Sequence, residues 1–319
     1  MLTAKDIGGV MGMMPAFATK DADDIKATQT IAVDNLTAGV DRIIKDGIDV
    51  ISTTGTYGEC YNLLWEEFET ITTAAVATVN KRVPLFVGVT SPNPREVVRK
   101  MNFVKDTAAD GVLLGVPYYE TLPVSDAVRF FHDIADMFPT LNILIYHNPG
   151  NHKFTLPVGA FKELVKKPSI IGMKDSHRTT SAFLNLQKIT TGRVSVFVNQ
   201  TQLYPYYDMG AAGCWSTEVW MGPWPILHLR DLMRRGEHAK AADVIADINL
   251  ASQGKPVPGE GFKRPAEYAD YCNVGPTRVP FVNFPDVQID RAKKRAAHWM
   301  EMNDRYRPLV EAEKGRTAA

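Results

Sequence analysis

No charge of one sign dominates the chain. Its 319 residues carry 36 lysines and arginines against 36 aspartates and glutamates, so no global field draws it to nucleic acid or to an anionic membrane. A small-molecule partner is expected instead. Long apolar runs are missing as well: no stretch of 18 apolar residues occurs, and the opening Met-Leu-Thr-Ala-Lys-Asp is not a basic segment leading into an apolar one. Neither a membrane span nor export is expected. Cysteine is scarce, and Cys60, Cys214 and Cys272 are odd in number, far apart and form no C-x-x-C pair. That pattern argues for a reducing compartment and gives the cytoplasm as the expected location. No P-loop, internal repeat or low-complexity tract is present, and Gly8-Gly9 stands at the start of the first apolar run instead of following it as a dinucleotide-binding loop would. His147 and His152 stand five apart with no Asp, Glu or Cys spaced beside them like metal ligands, so no metal is expected. The basic run Arg291-Ala-Lys-Lys-Arg295 is short and reads as a solvated helix face.

What is present is ordinary globular material, 45% hydrophobic and 23% charged, arranged as apolar runs alternating with helical patterns. Runs over 8–17, 49–53, 85–88, 111–115, 142–146, 170–174, 194–198 and 214–217 read as eight strands. A helix is expected over 29–46, with Leu36, Val40 and Ile43 inward; another repeats Phe68, Ile71, Ala75 and Val79. Ser125 is expected to cap the helix that buries Val128, Phe131, Ala135 and Phe138. Connections this long cannot be hairpins, so the sheet must be parallel. An α/β fold follows, a (β/α)8 TIM barrel over 1–222 with a helical C-terminal extension over 223–319; an open doubly wound sheet is the competitor. The extension shows helical patterns near 223–234, 237–252, 261–272 and 288–306.

In such a barrel the C-terminal strand ends share one mouth, and chemistry belongs there. Those ends carry Gly55-Thr56-Tyr57-Gly58-Glu59, Pro117-Tyr118-Tyr119, Tyr146-His147-Asn148, Lys174 and Trp215-Ser216-Thr217. A lysine among hydroxyls and aromatics suits a carbonyl substrate better than a phosphate. A solvated lysine has a pKa near ~10.4, and desolvation is what turns its amine into a nucleophile. The plainer reading of Lys174 is a strand-end charge paired with Asp175 or reaching solvent. Gly172 shares its face and would leave space beneath the amine. Tyr146 has a plain reading as a half-buried ring, Trp215 as barrel filling, and Asn148 as a turn residue before Pro149. Glu59 reads as a brace for its loop or a cap for the next helix.

Four spaced motifs, in this order, resemble the pyruvate-dependent class I aldolases that include dihydrodipicolinate synthase and N-acetylneuraminate lyase: Gly-Thr-x-Gly-Glu, Pro-Tyr-Tyr, the tyrosine ending strand five, and Ile-x-Gly-x-Lys-Asp. The resemblance implies that Lys174 forms a covalent Schiff base with the keto carbon of pyruvate, with no other cofactor, and that Tyr146 moves protons. It implies that Gly55, Thr56 and Tyr57 hold the pyruvate carboxylate, that Thr56 and Tyr119 extend a hydroxyl relay, and that the protein is a homo-oligomer, commonly a tetramer. Tyr119 reads equally as a subunit contact. Departures narrow the substrate. The synthase's arginine beyond the strand-five tyrosine is replaced by Pro149-Gly150-Asn151-His152, while Tyr57, Trp215 and the Met13-Met14 pair favour a flat apolar group. The combination is similar to the hydratase-aldolases that cleave benzylidenepyruvates in aromatic hydrocarbon catabolism. Its implied activity is that of a lyase that hydrates an aromatic keto acid and cleaves it to an aromatic aldehyde and pyruvate, with Asn148, and more weakly Asn273, placing water or the carbonyl. Another pyruvate lyase or synthase, or a keto-acid-binding module without catalysis, are the alternatives.

Overall fold

Parallel strands covered by helices on their outer side read as unbroken apolar runs, and the eight runs in this chain do become eight strands. A computed structural model describes residues 1–251 and 263–317. The strands are β1 (Gly9–Met13), β2 (Val50–Ser52), β3 (Leu85–Gly88), β4 (Gly111–Leu114), β5 (Asn142–His147), β6 (Ile170–Asp175), β7 (Ser195–Asn199) and β8 (Gly213–Ser216). They close in sequence order, and β8 returns to β1 through Gly9↔Gly213 and Met11↔Trp215. The fold is the expected (β/α)8 barrel with helices beyond it.

Side chains alternate between two apolar layers. Met11, Met13, Phe86, Leu113, Leu144 and Phe197 fill the barrel interior, while Ile143, Ile145, Met173 and Val196 face the surrounding helices. A third cluster joins Phe17, Trp220, Trp224 and Trp299, where the helices Trp224–Arg234 and Asp286–Thr317 pack on each other. The β5–β6 register shifts between Ile143 and Leu144, so that Ile143 faces Ile170 and Leu144 faces Gly172. One extra residue in β6 re-aims the segment that ends in Lys174. Gly172 is on the interior face, as expected, but a Cβ there would lie 3.0 Å from Ile7 Cδ1 and 3.2 Å from Leu144 Cγ. The room beneath the lysine is filled by those two side chains.

Several boundaries differ for local reasons. The helix expected over 29–46 starts at Val33, because the Thr30 amide and hydroxyl are held by Glu67 and Ile31 bridges to Ala18. Ser125 does not cap its helix, which spans Val124–Met137 and is preceded by Pro123 at φ −59 and ψ 148; Ser125 sits inside the first turn. Positions 252, 261 and 262 of the expected C-terminal helices lie outside the described residues. The helix expected over 261–272 is only Arg264–Tyr268, since beyond it the chain is drawn against the first loop, the Val274 carbonyl accepting from the Ala18 amide. The last helix is longer than expected, Asp286–Thr317. Among the described residues no helix is long and apolar enough to cross a membrane.

The closing seam is unusually tight. A Cβ on Gly213 would lie 1.8 Å from the Gly9 carbonyl oxygen, so β8 and β1 can approach only while Gly213 stays bare. Gly213→Ala should destabilise the fold by more than about 3 kcal/mol, read from the urea midpoint. Gly159→Ala, where a Cβ meets nothing within 4 Å, should change it by less than about 1 kcal/mol.

Candidate active site

Lys174 is the last inward-facing residue of β6, and it is only 3% exposed. Its Nζ lies 3.5 Å from the centre of the Trp215 ring and 4.8 Å from that of Tyr146, and donates to Ser176 Oγ at 2.9 Å. Burial lowers the lysine pKa to about 7, with the Asp175 charge pulling weakly the other way. Asp175 itself points outward, as strand alternation requires. Its carboxylate accepts from His147 Nδ1 at 2.9 Å and from the Ser176 amide at 2.9 Å, and pairs with Arg178 at 2.7 Å. Burial alone would raise its pKa, but these donors and the guanidinium charge hold it well below the usual carboxylate range. The plain reading, an amine paired with Asp175, therefore fails: the nearest acid is already taken, and the amine faces an indole.

Beside the amine stands a hydroxyl pair. The Tyr146 phenol lies 2.8 Å from Thr56 Oγ1 and accepts from Asn148 Nδ2 at 3.1 Å; Asn151 Nδ2 donates to Thr56 Oγ1 at 3.2 Å. Burial raises the phenol pKa, against the opposing pull of the Thr56 and Asn148 bonds. In the free protein Tyr146 is thus a protonated acid. The neighbouring lysine does not counter this, because it is itself driven toward its neutral form. His152 packs edge-on to the Tyr146 ring at 4.8 Å, and burial pushes its pKa down to about 4, leaving it neutral.

The Gly55–Glu59 loop takes an awkward backbone path, with Thr54 at φ +40 and Glu59 at φ +49, both in the left-handed region. Buried charge holds it there. Glu59 accepts from Lys263 at 3.2 Å, from Arg278 Nη1 at 2.6 Å and from the Arg278 amide at 2.9 Å, while Arg278 also donates to the Ala16 and Thr30 carbonyls. Glu59 braces its loop, and the other end of the brace is the C-terminal segment.

The structure brings Lys174, Tyr146, Thr56, Asn148 and Trp215 together, with Gly55 beneath them: a Cβ there would touch Met13 and lie 3.9 Å from the Tyr146 ring. Trp215 is fixed by its Nε1–H donating to the Asp175 carbonyl at 2.8 Å. Three expected residues sit elsewhere. Tyr57 is buried in the cluster shared with the C-terminal segment, so its ring does not add an aromatic wall to the mouth. Tyr119 is 76% exposed, near the Lys153 ammonium. Asn273 is exposed and accepts from the Gly275 amide. Sequence reading missed Ser176, Asn151, Arg178, Lys263 and Arg278. Ser176 alone carried a signal, standing two residues past Lys174 and therefore on its face. His147, Asp175 and His177 bring three potential metal-ligand atoms within 4.8 Å, a grouping formed across two strands that spacing could not reveal. The donors do not fit a metal: His147 Nδ1 faces Asp175, its Nε2 accepts from the Leu156 amide, and Arg178 occupies the carboxylate.

A buried amine of near-neutral pKa at the mouth of a (β/α)8 barrel, beside a phenol–threonine pair, is the constellation of a class I aldolase, and residues 12–256 match the dihydrodipicolinate synthetase family. The chain belongs to that family. Among curated relatives it is similar to the trans-O-hydroxybenzylidenepyruvate hydratase-aldolase of Pseudomonas putida, 30% identical over 323 residues covering 96% of each chain. It is also similar to the trans-2'-carboxybenzalpyruvate hydratase-aldolase of Nocardioides sp. (strain KP7), 24% identical over 96% of each. Among solved structures, PhdJ bound to a substrate intermediate superposes with a TM-score of 0.89 at 28% identity, over 96% of this chain and 99% of that one.

Because burial depresses a base, the folded state binds fewer protons than the unfolded chain between about pH 7 and 10.5, and stability rises with pH across that window. Lys174→Met should remove this dependence, gaining about 4 kcal/mol near pH 7 and almost nothing near pH 10.5 in urea unfolding. Arg278→Met should do the opposite, losing roughly 3 kcal/mol by leaving Glu59 under-paired.

Proposed function

We propose that the protein is a Schiff-base hydratase-aldolase that hydrates an aromatic benzylidenepyruvate and cleaves it to an aromatic aldehyde and pyruvate. The observation that carries this reading is the buried Lys174 amine, neutral in part at physiological pH and lying against the Trp215 face, in a chain similar over nearly its whole length to hydratase-aldolases.

The neutral amine attacks the C2 carbonyl, and the C2 oxygen leaves as water with the Tyr146 proton. The product is an iminium conjugated to the side-chain double bond, an electron sink. The phenolate, now beside a cation, takes a proton from water as the hydroxyl adds to the carbon next to the ring. Electrons flow to the iminium, and Tyr146 returns the proton to C3. Retro-aldol cleavage repeats the exchange: the phenolate takes the new hydroxyl's proton, the C–C bond breaks and the aldehyde departs. The enamine is protonated at C3 and hydrolysed to pyruvate and free Lys174. Thr56 and Asn148 hold the phenol throughout, and the Gly55–Tyr57 backbone supplies N–H groups for the carboxylate. The mouth offers no arginine at 149–152, which disfavours a second carboxylate-bearing substrate. We place this chemistry in a barrel unit over 1–222 completed by helices over 223–319, in a cytoplasmic homo-oligomer, tetrameric by resemblance. Tyr119 is assigned as a relay or subunit-contact residue and Asn273 as a weaker substrate contact.

Pyruvate with borohydride should add irreversible mass at Lys174, at a rate rising as the pH passes about 7 where the amine loses its proton; no adduct rejects the mechanism. Tyr146→Phe should keep adduct formation measurable but lower turnover by roughly 10²- to 10⁴-fold. o-Hydroxybenzylidenepyruvate and its carboxy analogue should release an aromatic aldehyde and pyruvate, while sugar acids should release no pyruvate; no aromatic aldehyde from the first two rejects this reading.

A further inference from the structure

Ser176 lies just past the end of β6 and is not among the groups assigned above. Its hydroxyl donates to the His147 carbonyl oxygen at 3.2 Å and accepts from Lys174 Nζ at 2.9 Å. A serine has one hydrogen and two lone pairs. With the hydrogen committed to a carbonyl of β5, only lone pairs face the lysine nitrogen. In that arrangement Ser176 accepts an N–H from that nitrogen in every state that carries one. The arrangement is fixed from both sides, because the Ser176 amide donates to Asp175 Oδ1 and Asp175 is anchored by His147 and Arg178.

We infer that Ser176 is a catalytic residue whose oxygen accepts the single N–H of the Lys174 iminium, stabilising it and fixing its plane. An iminium nitrogen keeps one hydrogen, which lies in the plane of the C=N bond. Directing that hydrogen at Ser176 sets the rotation about Cε–Nζ, so the substrate carbon must take the other in-plane position, toward the mouth. The Trp215 ring, 3.5 Å from the nitrogen, then faces the cation as its planar neighbour. The inference rests on the Schiff-base role of Lys174. The titratable groups around this nitrogen are Tyr146 on β5 and neutral His152 beyond it, with the outward-facing Asp175 acting only through its charge, while β7 and β8 present the uncharged Phe197 and Trp215.

Removing the acceptor disfavours both nitrogen forms that need it, ammonium and iminium, with opposite kinetic results. In Ser176→Ala the pH midpoint for borohydride-trapped pyruvate adduct formation should fall below the wild-type value, because the ammonium is less well held. Turnover of o-hydroxybenzylidenepyruvate should fall about 10- to 100-fold, because the iminium loses a charge-assisted bond. Ser176→Cys, of similar size but a weak acceptor, should behave like alanine, and Ser176→Thr should restore both properties. A merely structural serine would lower turnover without moving the midpoint. An unmoved midpoint in folded alanine or cysteine variants, or a threonine variant as impaired as alanine, overturns the assignment. Absence of adduct in the wild type instead overturns the Schiff-base reading beneath it, so the two failures are distinguishable.

Discussion

Desolvation of one primary amine sets the terms on which the mouth of this barrel is built. Lys174 loses water on every side, so its ammonium form is disfavoured and its nucleophilic form is present near neutrality. An acid beside it would undo this, restoring the ammonium through a close ion pair. Asp175 is the acid at hand, adjacent in sequence, and the fold disposes of it twice. Strand alternation turns it to the outer face, and His147 with Arg178 saturates it there. What remains around the amine is neutral: an indole, a phenol raised rather than lowered in pKa, a serine hydroxyl and an uncharged imidazole. Neutral partners let the nitrogen change charge during a reaction without a fixed anion holding it in one state.

The second dependence runs through the Gly55–Glu59 loop. Left-handed backbone at Thr54 and Glu59 is sustained only when the surroundings over-determine it. Here the surroundings are two buried cations reaching from the C-terminal segment, Lys263 and Arg278. Removing one partner of such a network leaves the other uncompensated in a low-dielectric site. The loop and the C-terminal segment are thereby made a single unit, and Tyr57, packed in the cluster between them, belongs to that joint.

Much of this is legible in the sequence. The eight strands were legible because parallel strands buried on both faces leave continuous apolar runs, and Lys174, Tyr146, Thr56, Asn148 and Trp215 were legible because a barrel gathers strand ends at one mouth. The misses share a cause. Tyr57 follows Thr56 directly, yet its ring is buried in the cluster shared with the C-terminal segment, and no periodicity forecasts the path of a loop. Ser125 was displaced as a cap by Pro123, whose fixed φ already places it at the helix entrance. The Glu59–Lys263–Arg278 brace joins residues more than 200 apart, and a lysine or arginine destined for burial looks in sequence like any surface charge. The His147–Asp175 pair likewise exists only once β5 and β6 are aligned, through His147↔Asp175.

That alignment also explains why the extra residue in β6 matters. Without the register shift at Ile143/Leu144, β6 would run one residue out of step, and a one-residue slip exchanges the two faces of a strand. Lys174 would then face the helices and Asp175 the barrel interior, an unpaired carboxylate in place of a nucleophilic amine. Below the shift, Ile170 faces outward in step with Ile143; above it, Tyr146↔Lys174 and His147↔Asp175 fall into register. The shift therefore sorts the ionisable groups of two strands by face. Tyr146 and Lys174 go to the barrel interior, among neutral groups, and His147 and Asp175 go to the outer layer, where they pair with each other.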